Sequence, residues 1–147
     1  MKFSDVEETA WDELRPYVDT CVLPVTGLTG SEQPWEATRA LEQLRDALDC
    51  LEIPYKGRVL TYPAFHFITD EECGSETLKR VCARLKNSGF RYLIVIGAKA
   101  ELENILSESG ADCALTLPPV MLNDSLPEVK RQIAQKLQQL WSANSEG

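Results

Sequence analysis

Histidine is the scarcest chemically useful residue in this chain: His66 stands alone among 147 residues. A metal site built on two histidines of one chain is thereby excluded. The five cysteines, Cys21, Cys50, Cys73, Cys82 and Cys113, are odd in number and widely spaced, with no CxxC pair. The closely spaced thiols that structural zinc requires are therefore missing. The N-terminus lacks the apolar core of a secretion signal, and no window approaches the ~20 apolar residues of a membrane span. These absences point to a cytoplasmic protein with reduced thiols and no membrane insertion. No GxGxxG follows a strand-like run, and neither GxxxxGK(S/T) nor GxSxG occurs. Nothing thus implies a nucleotide cofactor or a nucleophile elbow, and no cofactor is expected. Positive charge is also short: the net charge of −8 argues against nucleic-acid binding, which depends on neutralising phosphates.

What is present suits one soluble domain spanning residues 1–147, with 142–147 as a polar, frayed tail. There is no repeat, linker or low-complexity stretch. Ser4 and Glu7 form a capping-box pattern, with Phe3 as its staple, for a helix from Phe3 to about Arg15. Thr20 to Thr26 reads as a strand buried on both faces, in which Pro24 counts against a central position or marks a bulge. A helix from Pro34 to Leu51 presents Ala37, Leu41, Leu44, Leu48 and Leu51 on one face. Arg58–Tyr62 is a second strand, and Thr69 with Glu72 can cap a third helix that runs to Gly89. Arg91–Gly97 is the clearest strand, followed by a helix over Lys99–Glu108. Asp112–Leu117 is the fourth strand, and Pro118-Pro119 ends it. Ser125, Pro127 and Glu128 open the last helix. Strands alternating with helices imply a small doubly wound, flavodoxin- or Rossmann-like α/β domain. Its four-stranded parallel sheet has the order 2-1-3-4, with helices on both faces.

Ligands of such sheets bind beyond the carboxyl ends of the strands, where the winding reverses. That places candidate ligand-binding residues at Thr26, Gly27, Thr29, Gly30, Ser31 and Glu32 after the first strand, and at Gly97 and Lys99 after the third. Backbone N–H groups and Lys99 can receive an anion there; alternatively, the glycines only turn strand into helix. His66 lies just past the second strand. It is either a general base at the sheet edge or a ring packed among Tyr62, Phe65 and Phe67. Glu32, His66 and Lys99 are the catalytic candidates. Cys21, Cys50, Cys82 and Cys113 lie in apolar runs and read as small buried hydrophobes. Cys73, in DEECGSE, reads as exposed and discouraged from ionising by the acids before it.

Charge is uneven along the chain. Residues 1–50 carry net −7, residues 51–100 net +3, and residues 101–147 net −4. Lys79, Arg80, Arg84 and Lys86 form a basic strip on one helix. That strip suits an acidic protein partner or an acidic face of a second copy, or is simply a solvated outer face. Trp35 and Trp141, near helix ends, suit an interface, and Trp11 suits the core.

The run from Leu14 to Val25, with Tyr17-Val-Asp-Thr20 leading to Pro24 and the later GFRYLIVIG strand, resembles the YpiF-like family. These are small uncharacterised proteins of spore-forming bacteria, labelled a domain of unknown function. The resemblance implies a cytosolic bacterial protein without an assigned activity. Val22-Leu-Pro-Val25 followed by Gly30-Ser-Glu-Gln33 is also similar, in degenerate form, to creatininase-type amidohydrolases. There Pro34 replaces a metal-binding histidine, and Glu32 is the one ligand position retained. Together these readings favour a non-enzymatic module that binds a protein or a small ligand. The alternatives are a metal-independent hydrolase or transferase at the strand ends, and a structural homo-oligomer.

Overall fold

The computed structural model describes residues 1–68 and 72–143, the side chains of 72, 73 and 143 excepted. Four parallel strands, β1 (Thr20–Val25), β2 (Val59–Thr61), β3 (Tyr92–Gly97) and β4 (Cys113–Thr116), pair in the order β2-β1-β3-β4. Between and around them run α1 (Glu8–Leu14), α2 (Pro34–Glu52), α3 (Glu72–Asn87), α4 (Glu103–Ser107) and α5 (Pro119–Ala143). This is the expected doubly wound α/β arrangement. The direction of winding changes after β2, so helices of one crossover hand must cover both faces. Cys21, Leu23, Val25, Leu93 and Val95 meet residues of α3 and α4, with Trp11 and Leu14 of α1 packed beside them. Val22, Ile94, Ile96 and Leu115 meet α2 and α5. The two-residue alternation of β1 and β3 thus divides a single apolar run between two cores.

Pro24 sits inside β1 opposite Ile96. Its carbonyl accepts from Phe65 N–H at 2.7 Å, so its nitrogen also faces the β2 side. Pairing with β2 has already ended at Thr61, so the missing donor breaks no bond of the ladder. β2 is correspondingly shorter than the expected Arg58–Tyr62. The face of α2 is rotated from the expected one: Ala40, Leu44, Ala47, Cys50 and Leu51 are buried, while Leu41 is exposed.

The first helix departs from expectation. Phe3–Asp5 forms a short 3-10 turn, Val6 is extended, and α1 begins only at Glu8. The Asp5 carboxylate, not a Ser4–Glu7 box, closes the turn by accepting Lys2 N–H at 3.0 Å. Main-chain pairing at the sheet edge explains this: Thr61 N–H donates to Met1 carbonyl at 2.9 Å and holds the first residues out of a helix. The fourth helix is likewise split, into a 3-10 turn (Ala100–Leu102) and α4. α5 starts at Pro119, before the expected Ser125, and Ser125 is a non-helical kink inside it. Ser142 and Ala143 lie in α5; residues 144–147, like the Thr69 cap and the Cys73 thiol, lie outside the described residues.

At the amino end of the sheet, Asp19 and Thr20 gather three elements. Asp19 accepts from Arg58 Nε at 3.0 Å and from its Nη2 at 3.1 Å. The Asp19 carbonyl receives the N–H groups of Arg91 and Tyr92 at 3.0 and 3.1 Å. Trp141 of α5 donates its indole N–H to the buried Thr20 hydroxyl at 3.0 Å. Arg58 also lies over the Trp141 ring, 3.9 Å from its centroid, and Tyr55 meets that ring edge-on. Trp141→Phe keeps the stacked ring and loses the donor. It is expected to lower stability by about 1–2 kcal/mol in urea unfolding. A double-mutant cycle between Trp141→Leu, which removes the ring, and Arg58→Met should return a coupling of about 0.5–2 kcal/mol.

Candidate functional site

The carboxyl ends of β1 and β3 carry the expected candidate residues. Thr26, directly after β1, is buried. Its N–H donates to the Phe65 carbonyl at 3.1 Å, and its hydroxyl lies 3.1 Å from His66 Nδ1. Lys99 Nζ donates to the Gly27 carbonyl at 3.1 Å. Glu32 turns back on its own loop, accepting the N–H groups of Thr29 at 2.8 Å and Gly30 at 2.9 Å, and the Thr29 hydroxyl at 3.1 Å. The Thr29 N–H above all, helped by Gly30, lowers the Glu32 pKa to about 2. Ser31 N–H closes the turn on the Thr29 hydroxyl at 3.2 Å. The three catalytic candidates therefore touch three different parts of one segment: His66 at Thr26, Lys99 at Gly27, and Glu32 at Thr29 and Gly30. Among the described residues, no hydrogen bond or ion pair joins any two of them.

The glycines at the switch point serve close packing. A Cβ on Gly97 would stand 2.9 Å from Leu102 Cδ1. One on Gly27, whose φ is +73°, would stand 3.1 Å from the same atom. Leu102 thus packs against both Gly27 and Gly97 at the ends of β1 and β3, and the Lys99 stem lies beside Gly27. Next to His66, Phe67 has a φ of 56° and an exposed ring.

Among the described residues, openings lie elsewhere. A cavity of about 320 Å³ runs between α2 and α5, lined by Cys50, Ile53, Pro119, Leu122 and Leu126. Asp46, Asp49 and Lys130 stand on its rim. Two of its lining residues are unusually exposed apolar side chains: Ile53 is 71% exposed and Leu126 38%. Reading Pro118-Pro119 only as a strand end conceals this feature. The signal that would reveal it is Val120-Met-Leu122, an apolar turn ahead of a second helix start. Two further cavities flank the outer edge of β2 near Phe3.

The basic strip on α3 is partly neutralised. Lys79 lies 3.7 Å from Glu76, and Lys86 lies 3.2 Å from Asp112, whereas Arg80 and Arg84 make no ion pair with a described residue. Trp11 packs against Phe90 as expected for the core, and Trp35 is exposed beneath Arg39. Cys21, Cys50 and Cys82 are buried, and burial pushes the Cys21 thiol up to about 12. Burial also raises the Cys50, Cys82 and Cys113 thiols. These four side chains behave as hydrophobes.

Two outcomes follow. Gly97→Ala should cost about 1–3 kcal/mol in denaturant unfolding, because overpacked atoms must move. Adding Leu102→Ala should make the Gly97 substitution less costly. Glu32 ionises more readily in the folded chain than in the unfolded one. Its contribution to loop order is therefore complete above the ordinary carboxylate range and is lost as pH falls toward 2. An NMR titration of Glu32 should show that low midpoint, and Glu32→Gln should speed amide exchange at Thr29 and Gly30.

A family model described as "Protein of unknown function (DUF2487)" matches residues 9–143. No curated protein and no solved structure matches the chain at a significant level. The matched span takes in the Tyr17–Thr20 run, all four strands and α5, and the chain belongs to this uncharacterised family.

Proposed function

We propose that this protein is a non-catalytic docking module that receives an amphipathic helix of a partner protein in the groove between α2 and α5. The observation that carries this reading is the coincidence of the 320 Å³ cavity with the exposed apolar side chains Ile53 and Leu126 that line it. A helix laid in a groove uses side chains three and four residues apart as anchors, and this groove follows two helices. Asp46 and Asp49 outnumber Lys130 around the cavity and favour a partner helix with basic residues beside its apolar stripe.

The contacts of Glu32, His66 and Lys99 give less support to acid–base chemistry at the strand ends. General acid–base catalysis needs its groups within mutual reach of one substrate. Here each group is committed to a separate contact, and Leu102 packs against Gly27 and Gly97 at the strand ends.

The test is affinity capture from native lysate with the full chain, Ile53→Glu/Leu126→Glu, and Lys79→Glu/Arg80→Glu/Arg84→Glu. The groove variant should lose specific partners that the wild type and the α3 variant both retain. If the folded groove variant keeps the whole set, the reading is wrong. Loss in the α3 variant alone would move the docking surface to the basic strip.

A further inference from the structure

We infer that the outer edge of β2 is a strand-addition site, occupied by the chain's own first residues until an extended segment of a partner protein replaces them. β2 is an edge strand, and such a strand presents main-chain donors and acceptors to whatever lies beside it. Here Lys2 pairs in parallel with Thr61, and Thr61 N–H donates to the Met1 carbonyl at 2.9 Å. The pairing is brief. The chain turns away through Phe3–Asp5, a turn held by Lys2 N–H on the Asp5 carboxylate.

Cavities lie on both faces of the sheet at this edge. One of about 480 Å³, on the α1 face, is lined by Val6, Trp11 and Leu60. One of about 200 Å³, on the α2 face, is lined by Leu44, Leu48 and Glu52. Phe3 borders both and remains 47% exposed. Successive side chains of an added strand point to opposite faces, so alternate residues of an incoming segment would enter these two spaces in turn.

The resident residues show the chemistry that fits. Met1 packs against the apolar core of the α1 face, while Lys2 lines the α2-face cavity, where Arg45 also stands and Glu52 accepts the Thr61 hydroxyl at 2.8 Å. The occupant is therefore an extended segment of another protein in which apolar and basic residues alternate, apolar toward Trp11 and basic toward Glu52. This site is separate from the α2–α5 groove and does not depend on it.

The probe is a fluorescein-labelled hexapeptide of alternating valine and lysine, with a valine–glutamate hexapeptide as control. Asp5→Ala removes the acceptor that holds the resident turn. The full-length variant should bind the lysine peptide about tenfold more tightly than the wild type. Thr61→Pro in that background removes the outward donor and should abolish binding. Thr61→Val keeps the donor and should retain binding. NMR on the Asp5→Ala chain gives an independent readout: the peptide should shift the amides of Val59, Leu60 and Thr61.

Three results would overturn the inference. The first is equal binding of the lysine and glutamate peptides. The second is shifts confined to another surface. The third is absence of binding when amide exchange at Thr61 shows the resident residues released. Dimers of Asp5→Ala that bind no peptide and disappear on adding Thr61→Pro would identify a second copy as the occupant, also against a partner segment.

Discussion

Two consecutive residues at the start of β1 hold the sheet in register. Asp19 uses its carbonyl to receive the first N–H groups of the β3 region and its carboxylate to hold Arg58 ahead of β2. Thr20 then fastens Trp141, near the end of α5. Parallel strands have no hairpin turn to set their alignment, and their connections are long. A fixed point at the amino ends supplies what a turn supplies in an antiparallel sheet. Arg58 strengthens it by lying between a carboxylate and an indole face, two partners suited to a planar guanidinium. The Tyr17–Thr20 run that carries the family resemblance therefore has a structural task at the end of the sheet opposite the candidate ligand site.

That division shapes the carboxyl end. Doubly wound sheets offer a crevice where the winding reverses, but a crevice is available only if the following loop leaves it open. In this chain Gly27 and Gly97 bring two backbones close to Leu102, and Lys99 reaches across to the Gly27 carbonyl. The same glycines that make a phosphate-binding turn plausible in sequence serve in space to admit a leucine. Glu32 shows the same conversion, since its charge is spent on the amides of its own turn.

The architecture was legible because alternation of strands and helices survives error at individual residues. The strand order follows from crossover handedness and two-sided covering, both insensitive to a boundary shift. The details that failed share one cause, namely that tertiary pairing overrides a local signal. Ser4 and Glu7 form a good capping pattern, yet the edge strand draws Met1 and Lys2 into extended pairing and leaves Phe3–Asp5 as a 3-10 turn. Leu41 has the spacing of a buried residue, but α2 lies rotated, with Ala40 and Ala47 buried instead. Small residues permit close packing there, and no helical period reveals it. Of the candidate site, the sequence correctly placed its residues on the strand-end loops. It could not show that Thr26, Gly27 and Thr29 would take His66, Lys99 and Glu32 in separate contacts.

The surface left for recognition follows from the two prolines of α5. Pro119 begins the helix early, and Pro127 has no N–H for the Asn123 carbonyl, so the chain kinks at Ser125. Beyond the kink, Val129, Ile133 and Leu137 lie on the sheet as a regular buried stripe. Before it, the short piece answers to a different direction. It can bring Leu122 inward, but it leaves Val120 and Met121 outside. A continuous helix would have one apolar face and one core to bury it in. In the divided helix, Pro119, Leu122 and Leu126 line the space between α2 and α5 together with Ile53. The feature that ends one helical direction and begins another thus shapes the groove on which the docking proposal rests.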